Sequence, residues 1–204
     1  MAILPYTHDR LDAHLPLLII GAGACGLVAA LAAQEAGVEL AVLERDALPR
    51  GSTAMSSGFI PAANTRFQHE LGVSDSAEAM AEDIQKKNGF EADPAIVELL
   101  DTQSGHTIEW LAGEHGVPFE LVEGFLYPGH RHLRMHATPR RTGEELMGAL
   151  LNAAEAAGID ILTQARVVDL HVDDTQRVRG VTLERPDGSR ESVGCDALIL
   201  ACNG

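Results

Sequence analysis

An unbroken apolar run from Leu15 to Ile20, with Leu17-Leu-Ile-Ile20 at its heart, has the pattern of a strand buried on both faces in a parallel sheet. It runs into Gly21-Ala-Gly23-Ala-Cys-Gly26, and the pattern then predicts an amphipathic helix starting near Ala24 and closed by Gly37. Glu39-Leu-Ala-Val-Leu43 reads as a second strand with Glu44 at its tip, and Arg45 to Phe59 as a loop of small residues. From Ser74 to Ala112 the pattern is helical. Ser74-Asp75 can cap Ala77–Lys87, and Asp93-Pro94 opens a second helix whose stripe of Ile96, Leu99, Leu100, Ile108 and Leu111 reads as core. Thr142-Gly-Glu-Glu145 is a capping box for a helix Leu146–Ala157 closed by Gly158. Ile159–Leu162 then reads as a returning parallel strand. Arg166–Val172, Arg177–Arg185 and Glu191–Gly194, with the turn Pro186-Asp-Gly-Ser189, read as an antiparallel meander, and Asp196–Ala201 as a separate sheet-central strand. The order predicts an α/β chain of Rossmann-like type: a central parallel sheet with helices, a three-stranded antiparallel meander and a helical insertion. The expected parts are residues 1–61, a dinucleotide-binding βαβ with its loop, 62–141, a mostly helical insertion, and 142–204, the returning helix, meander and last strand.

The glycine run behind the first strand is a dinucleotide fingerprint, and each residue type in it has a physical task. Gly21 permits the tight turn, and Gly23, lacking Cβ, lets the backbone approach a pyrophosphate. The helix beginning near Ala24 aims free amides and the positive end of its dipole at those phosphates. Gly26 and Ala30 are small enough for the helix to lie close against the sheet. Glu44 can accept hydrogen bonds from a ribose diol and repels a 2′-phosphate, so FAD and NAD are favoured over NADP. The stretch Leu15–Ala33 is long and apolar enough to suggest a membrane helix, but its glycines, uncharged flanks and α/β continuation argue against a membrane span. The first ten residues lack the regions of a signal peptide, so a cytoplasmic protein is expected.

A formal net charge of −15 over 204 residues disfavours nucleic acid and anionic membranes as partners. Cys25, Cys195 and Cys202 are an odd set without Cys-x-x-Cys spacing and imply no disulfide framework, zinc site or haem attachment. Cys25, inside the fingerprint, reads as a packing or phosphate-facing residue rather than a reactive one. The basic cluster His130-Arg-His-Leu-Arg134-Met-His136, with Arg140-Arg141, supplies the catalytic candidates His130, Arg134, His136 and Arg140. Their charge could attract a carboxylate substrate; the competing reading is a basic loop that balances an acidic protein. No metal site is expected from the histidines, because no carboxylate or cysteine stands at ligand spacing.

The order of elements, together with Gly21 to Glu44, Gly51-Ser-Thr-Ala-Met-Ser-Ser-Gly58, Arg141-Thr-Gly143, Ala165-Arg-Val167 and Leu200-Ala-Cys-Asn-Gly204, resembles the FAD-binding half of the fumarate reductase and succinate dehydrogenase flavoproteins. That family includes 3-ketosteroid dehydrogenases, whose Gly-Ser-Thr-Ala-Arg-Ser-Gly-Gly loop is similar to residues 51–58. The resemblance implies that Gly21, Gly23, Ala24, Cys25 and Gly26 hold the pyrophosphate of FAD, that Glu44 holds the adenosine ribose, and that Arg45 lies beside it. It implies Ser52 and Thr53 at the phosphate and ribityl region and Ala54, Ser56, Ser57 and Gly58 along the isoalloxazine edge, with Gly51 also among the cofactor-binding residues. Val167 would pair its backbone with adenine, and Ala201 to Gly204, with Asn203, would approach the pyrophosphate from the other side. Ser57 replaces a glycine common in the family. Gly51 stands where some members carry a histidine that attaches the flavin, which implies non-covalent FAD. The family's substrate-capping domain is expected to be absent, leaving the first half of a longer flavoenzyme. The implied activity is hydride transfer between flavin N5 and an activated C–C bond of a small-molecule carboxylate or ketosteroid, with an electron-transfer partner or a missing second half. The alternatives are a non-catalytic dinucleotide- or partner-binding module and an NAD-dependent dehydrogenase.

Overall fold

A computed structural model describes residues 2–7 and 11–202. Two compact units make up the chain: residues up to Thr53 together with those from Leu150 onward, and Ala54–Ala149. The first opens with β1 (Ala2–Pro5), β2 (Ala13–Ile20), α1 (Ala24–Glu35) and β3 (Leu40–Leu43), and the boundary falls within the single turn α2 (Gly51–Ala54). The second contains β4 (Ile60–Pro61), α3 (Arg66–Glu70), α4 (Ala77–Lys87), α5 (Pro94–Gly113), β5 (Glu120–Leu121) and β6 (Met135–Ala137). Helix α6 (Gly143–Ala156) carries the chain back, and β7 (Asp160–Leu162), β8 (Arg166–Val172), β9 (Val178–Glu184) and β10 (Arg190–Leu200) complete the first unit.

The first unit is built on one seven-stranded sheet of order β1-β8-β9-β10-β2-β3-β7. Strands β10, β2, β3 and β7 run parallel, and β8, β9 and β10 form the antiparallel meander. Continuous burial explains the apolar runs: all of β3 and the last four residues of β2 are buried. Leu18, Ile20, Leu43, Val181, Leu183 and Cys195 form one core cluster. The expected separate strands Glu191–Gly194 and Asp196–Ala201 are instead a single strand. β10 pairs antiparallel with β9 through Arg190–Gly194 and parallel with β2 through Leu200. Gly194 lies in this continuous stretch, where a Cβ would stand 2.6 Å from Leu11 Cδ1 and 2.9 Å from the His14 ring. The exposed edge strand β1, parallel to β8, has no apolar alternation to announce it. Helix α1 is less amphipathic than expected: Gly26, Leu27, Ala30 and Leu31 are buried, and alanines occupy much of the remaining surface.

In the second unit the insertion is not purely helical, since β4, β6 and β5 form a small antiparallel sheet too short for periodicity to show. Ser76, not Ser74-Asp75, caps α4 by accepting the Ala79 amide at 3.1 Å. The face of α5 also differs from the reading. Val97, Asp101, Gly105, Ile108 and Leu111 are buried, whereas Ile96, Leu99 and Leu100 are 58, 62 and 51% exposed. Gly105 sets this rotation: a Cβ there would be 2.3 Å from the Ala63 carbonyl oxygen, so the backbones meet at that point and the opposite face looks outward.

The second unit also encloses an ion network. The fully buried Arg134 guanidinium donates to Asp75 at 2.6 and 2.8 Å and to Asp83 at 2.6 Å. Asp83 also accepts the Arg131 amide at 2.9 Å and Arg131 Nε at 2.8 Å. Gln68 ties Asp75 to the Leu133 carbonyl and completes a capping box with Thr65. Burial pushes the Asp83 carboxyl up, but the hydrogen bonds from Arg131 and Arg134 outweigh it and bring its pKa to about 2. Removing one partner of such a buried pair strands a charge.

Two predictions follow from these interiors. Ile108→Ala should cost roughly 2–5 kcal/mol, and Leu99→Ala should stay within about 0.5 kcal/mol, as read by urea denaturation. Because the folded Asp83 pKa is depressed, the stability it contributes is present above about pH 4 and lost as pH falls toward about 2. Denaturation midpoints should drop through that window, and Asp83→Asn should be less stable at pH 7 but flatter in acid. Parallel acid limbs for the two proteins would sink this account.

Candidate functional site

The candidate site lies where β10, β2 and β3 end side by side. Leaving β2, the chain is held by two backbone bonds: the Gly21 amide donates to the Leu43 carbonyl, and the Ala201 amide to the Ile20 carbonyl, each at 2.8 Å. Gly21 has φ +105°, and a Cβ on it would come within 2.6 Å of the Ala201 oxygen. A Cβ on Gly26 would stand 1.9 Å from the Gly21 oxygen, so α1 packs on its own entry turn. The chain itself therefore demands glycine at 21 and 26.

Gly23 is different. Its φ of −77° suits any residue, and the nearest atom to a Cβ there is Thr53 Oγ1 at 3.7 Å. No protein contact requires its side chain to be missing. As the N-cap of α1 it also offers no side-chain acceptor, so the first-turn amides and the positive end of the helix depend on other acceptors. Thr53 Oγ1 takes the Ala24 amide at 3.2 Å. Space beside Gly23, directed amides and a helix dipole are what a pyrophosphate requires.

Glu44 is fixed against the end of β7, its amide donating to the Leu162 carbonyl and its own carbonyl accepting from the Ala165 amide, each at 2.8 Å. Its carboxylate bridges two backbone amides, taking Ala22 at 2.9 Å and Asp46 at 3.0 Å. These two amides escaped the sequence reading, since backbone donors leave no residue signature. A half-buried carboxylate at this strand tip retains lone pairs for a ribose diol. The donor set thus fits a dinucleotide.

The remaining expected residues are spread along both units. Cys25 is exposed, Arg45 is exposed with Asp46 at 3.5 Å, and Gly51 and Ser52 open α2 at the surface. Val167 pairs with Leu183 of β9, just before a bulge. Cys202 is exposed, while Asn203 and Gly204 lie outside the described residues. Cys195 is buried, and burial pushes its thiol up to about 11. Ala54, Ser56, Ser57 and Gly58 belong to the second unit. There the Ser56 carbonyl accepts the Gly143 amide at 2.8 Å, and Gly58, at φ +67°, passes within 3.0 Å of the Thr142 oxygen, measured from a Cβ built on it.

The basic cluster needs correction. Arg134 is spent on Asp75 and Asp83 and cannot reach a substrate. His136 is equally enclosed: Nδ1 donates to the Arg134 carbonyl at 2.8 Å, so Nε2 accepts the Thr65 hydroxyl at 2.8 Å. Burial lowers its pKa and keeps the ring neutral. Arg140 is exposed, and its amide donates to Glu145. His130 is half-buried, with Nδ1 lacking a partner. Segments rich in His and Arg look alike in sequence whether they face solvent or carboxylates distant in the chain. No helix among the described residues is long and apolar enough to cross a membrane.

Comparison with known proteins supports the dinucleotide reading. A probable fumarate reductase of Shewanella frigidimarina is 29% identical over 188 residues, which cover 92% of this chain and 32% of that protein. The solved open conformation of a flavocytochrome c3 fumarate reductase has a TM-score of 0.86 and 28% identity, over 94% of this chain and 34% of the other. The 3-ketosteroid-Δ4-(5α)-dehydrogenase of Rhodococcus jostii RHA1, solved with 4-androstene-3,17-dione, has a TM-score of 0.83 and 26% identity over 98% of this chain and 48% of that one. The chain spans about a third of the length of the curated relatives it matches. The family described as FAD binding domain matches residues 17–204, and the chain belongs to that family of flavoprotein oxidoreductase domains.

Proposed function

We propose that the first unit holds FAD without a covalent link, with its pyrophosphate at Gly23 and the N-terminus of α1 and its adenosine ribose at Glu44. The observation that carries this reading is Gly23, a glycine that no contact within the chain requires, standing as the N-cap of α1 where it offers no side-chain acceptor of its own. Thr53, which accepts the Ala24 amide, would share that end of the helix with phosphate oxygens. Glu44 would take ribose hydroxyls while keeping the Ala22 and Asp46 amides. Val167 and Ala201 would contribute backbone at the adenine and pyrophosphate.

Bound FAD supplies hydride exchange at its N5. For the whole protein the proposed reaction is reduction or oxidation of an activated C–C bond in a carboxylate or ketosteroid, on the strength of relatives named fumarate reductase, urocanate reductase and ketosteroid dehydrogenase. The side chains described here position and bind; the buried Arg134 and His136 move no proton to a substrate.

FAD titration of Gly23→Ala, Gly26→Ala and Glu44→Gln tests the site. Gly23→Ala should fold with an unchanged apo melting temperature yet bind FAD at least about tenfold more weakly, a loss near 1.4 kcal/mol. Gly26→Ala should lose stability outright. Glu44→Gln should weaken binding by roughly 1.5–3 kcal/mol, the usual worth of a hydrogen bond to a charged group. Unchanged FAD affinity in Gly23→Ala would overturn the assignment.

Gly51 offers no side chain at the position where some similar proteins attach their flavin. Acid precipitation of the FAD-loaded protein should therefore release all of the yellow chromophore to the supernatant. A pellet that stays yellow would show a covalent bond.

A further inference from the structure

The first amide of α1, that of Ala24, already has an acceptor within the chain. It donates to Thr53 Oγ1 at 3.2 Å. The same oxygen is the nearest atom to a Cβ built on Gly23, at 3.7 Å. One hydroxyl thus serves a helix-start amide and borders the space beside Gly23 where the pyrophosphate is proposed to lie. An N–H makes one well-aligned hydrogen bond, and the preference for angles above about 150° leaves a second oxygen no comparable place. A phosphate oxygen aimed at the Ala24 amide therefore has to take the position of Thr53 Oγ1.

The strengths of the two acceptors decide which one holds the amide. Thr53 Oγ1 is neutral, and 3.2 Å is at the long end of the normal range for such a bond. An anionic oxygen makes a bond roughly twice as strong. The segment that carries Thr53 is also able to give way. Helix α2 is a single turn with no buried residue, and it opens on Gly51, which has φ +53° and nothing within 4 Å of a Cβ built on it. The Ala22 amide is held differently, by the charged carboxylate of Glu44 at 2.9 Å, from a residue whose own backbone is pinned to Leu162 and Ala165. Ala22 is fixed by the frame, whereas Ala24 is held by a contact that can be exchanged.

We propose that Thr53 competes with the pyrophosphate for the Ala24 amide. Its hydroxyl caps the start of α1, and an arriving phosphate oxygen takes the amide over while the α2 turn swings away on Gly51. The proposal rests on the FAD assignment above and adds a regulating residue to that site. Thr53 keeps the helix start satisfied without cofactor, and it lowers the apparent affinity for cofactor by the fraction of chains in which the amide is already taken. Loss of the hydroxyl should make the protein less stable and its hold on FAD tighter.

Thr53→Val keeps the branched shape and removes the acceptor, while Thr53→Ser keeps the acceptor. In titrations followed by flavin fluorescence, Thr53→Val should bind FAD about fivefold more tightly than wild type, a gain near 1 kcal/mol, and Thr53→Ser should bind as wild type does. Without FAD, Thr53→Val should melt at a lower temperature, and its Ala24 amide should exchange with deuterium faster than in the other two chains. With FAD bound, Ala24 should be equally protected in all three. FAD affinity in Thr53→Val that equals or falls below that of wild type would overturn the competition and leave the FAD assignment standing. Failure of FAD to bind any of the three chains would overturn both. Equal Ala24 exchange in FAD-free wild type and Thr53→Val would show that the hydroxyl does not hold the amide, and would overturn the competition as well.

Discussion

The close backbone contact between Gly26 and Gly21 is the constraint on which the dinucleotide site rests. With no Cβ at 26, the first turn of α1 settles onto the carbonyl of the residue that leaves β2. That approach fixes where the helix begins and which way its first amides point. Gly21 in turn meets the Ala201 carbonyl, so the same turn is locked to the end of β10. Three strand ends and one helix start are thereby held in register by contacts that only glycine permits, and such rigid backbone geometry is what phosphate recognition by amides requires.

The parts of the first unit that follow from local rules were legible in the sequence. The apolar runs of β2 and β3, the closing glycines of the helices and the turn Pro186-Asp-Gly-Ser189 each encode structure within a few residues. What was not legible depends on partners distant in the chain. The break expected between Gly194 and Asp196 vanished because β10 keeps pairing, with β9 on one edge and β2 on the other, through that point. Edge strand β1 carries no pattern of its own, being exposed along its whole length. In α5 the apolar stripe misled, because Ile96, Leu99 and Leu100 are as hydrophobic as the residues that are buried. The rotation of that helix was decided by Gly105 against Ala63, a contact no periodicity reveals.

The basic cluster shows the same limit for chemistry. Arg134 and His136 have the residue types of a catalytic pair, yet in the structure they hold the second unit together. Arg134 satisfies two carboxylates contributed by the segment before α4 and by α4 itself, and its own carbonyl orients His136. A buried arginine with its guanidinium hydrogen-bonded on both sides cannot be removed cheaply, whereas the pair as a whole stabilises less than its short distances suggest. Its value is in fixing one arrangement of α4 and the segment before β6. His130, four residues earlier, differs from His136 in keeping a buried ring nitrogen without a hydrogen-bond partner.

Glu44 joins the fold to the proposed cofactor site. Its carboxylate already holds the Ala22 and Asp46 amides, so the turn after β2 and the start of the loop after β3 are tied together before any ligand arrives. A ligand that meets such a site does not have to order it, and that saving appears as affinity. The same arrangement imposes a demand on the residue. An acceptor that serves two backbone amides and a diol must present lone pairs in several directions at once, which a carboxylate does and an amide side chain does not. Aspartate would keep the charge but shorten the reach toward the Ala22 amide by one carbon. Glutamate at this position is therefore set by the geometry of the turn as much as by the ribose it is proposed to bind.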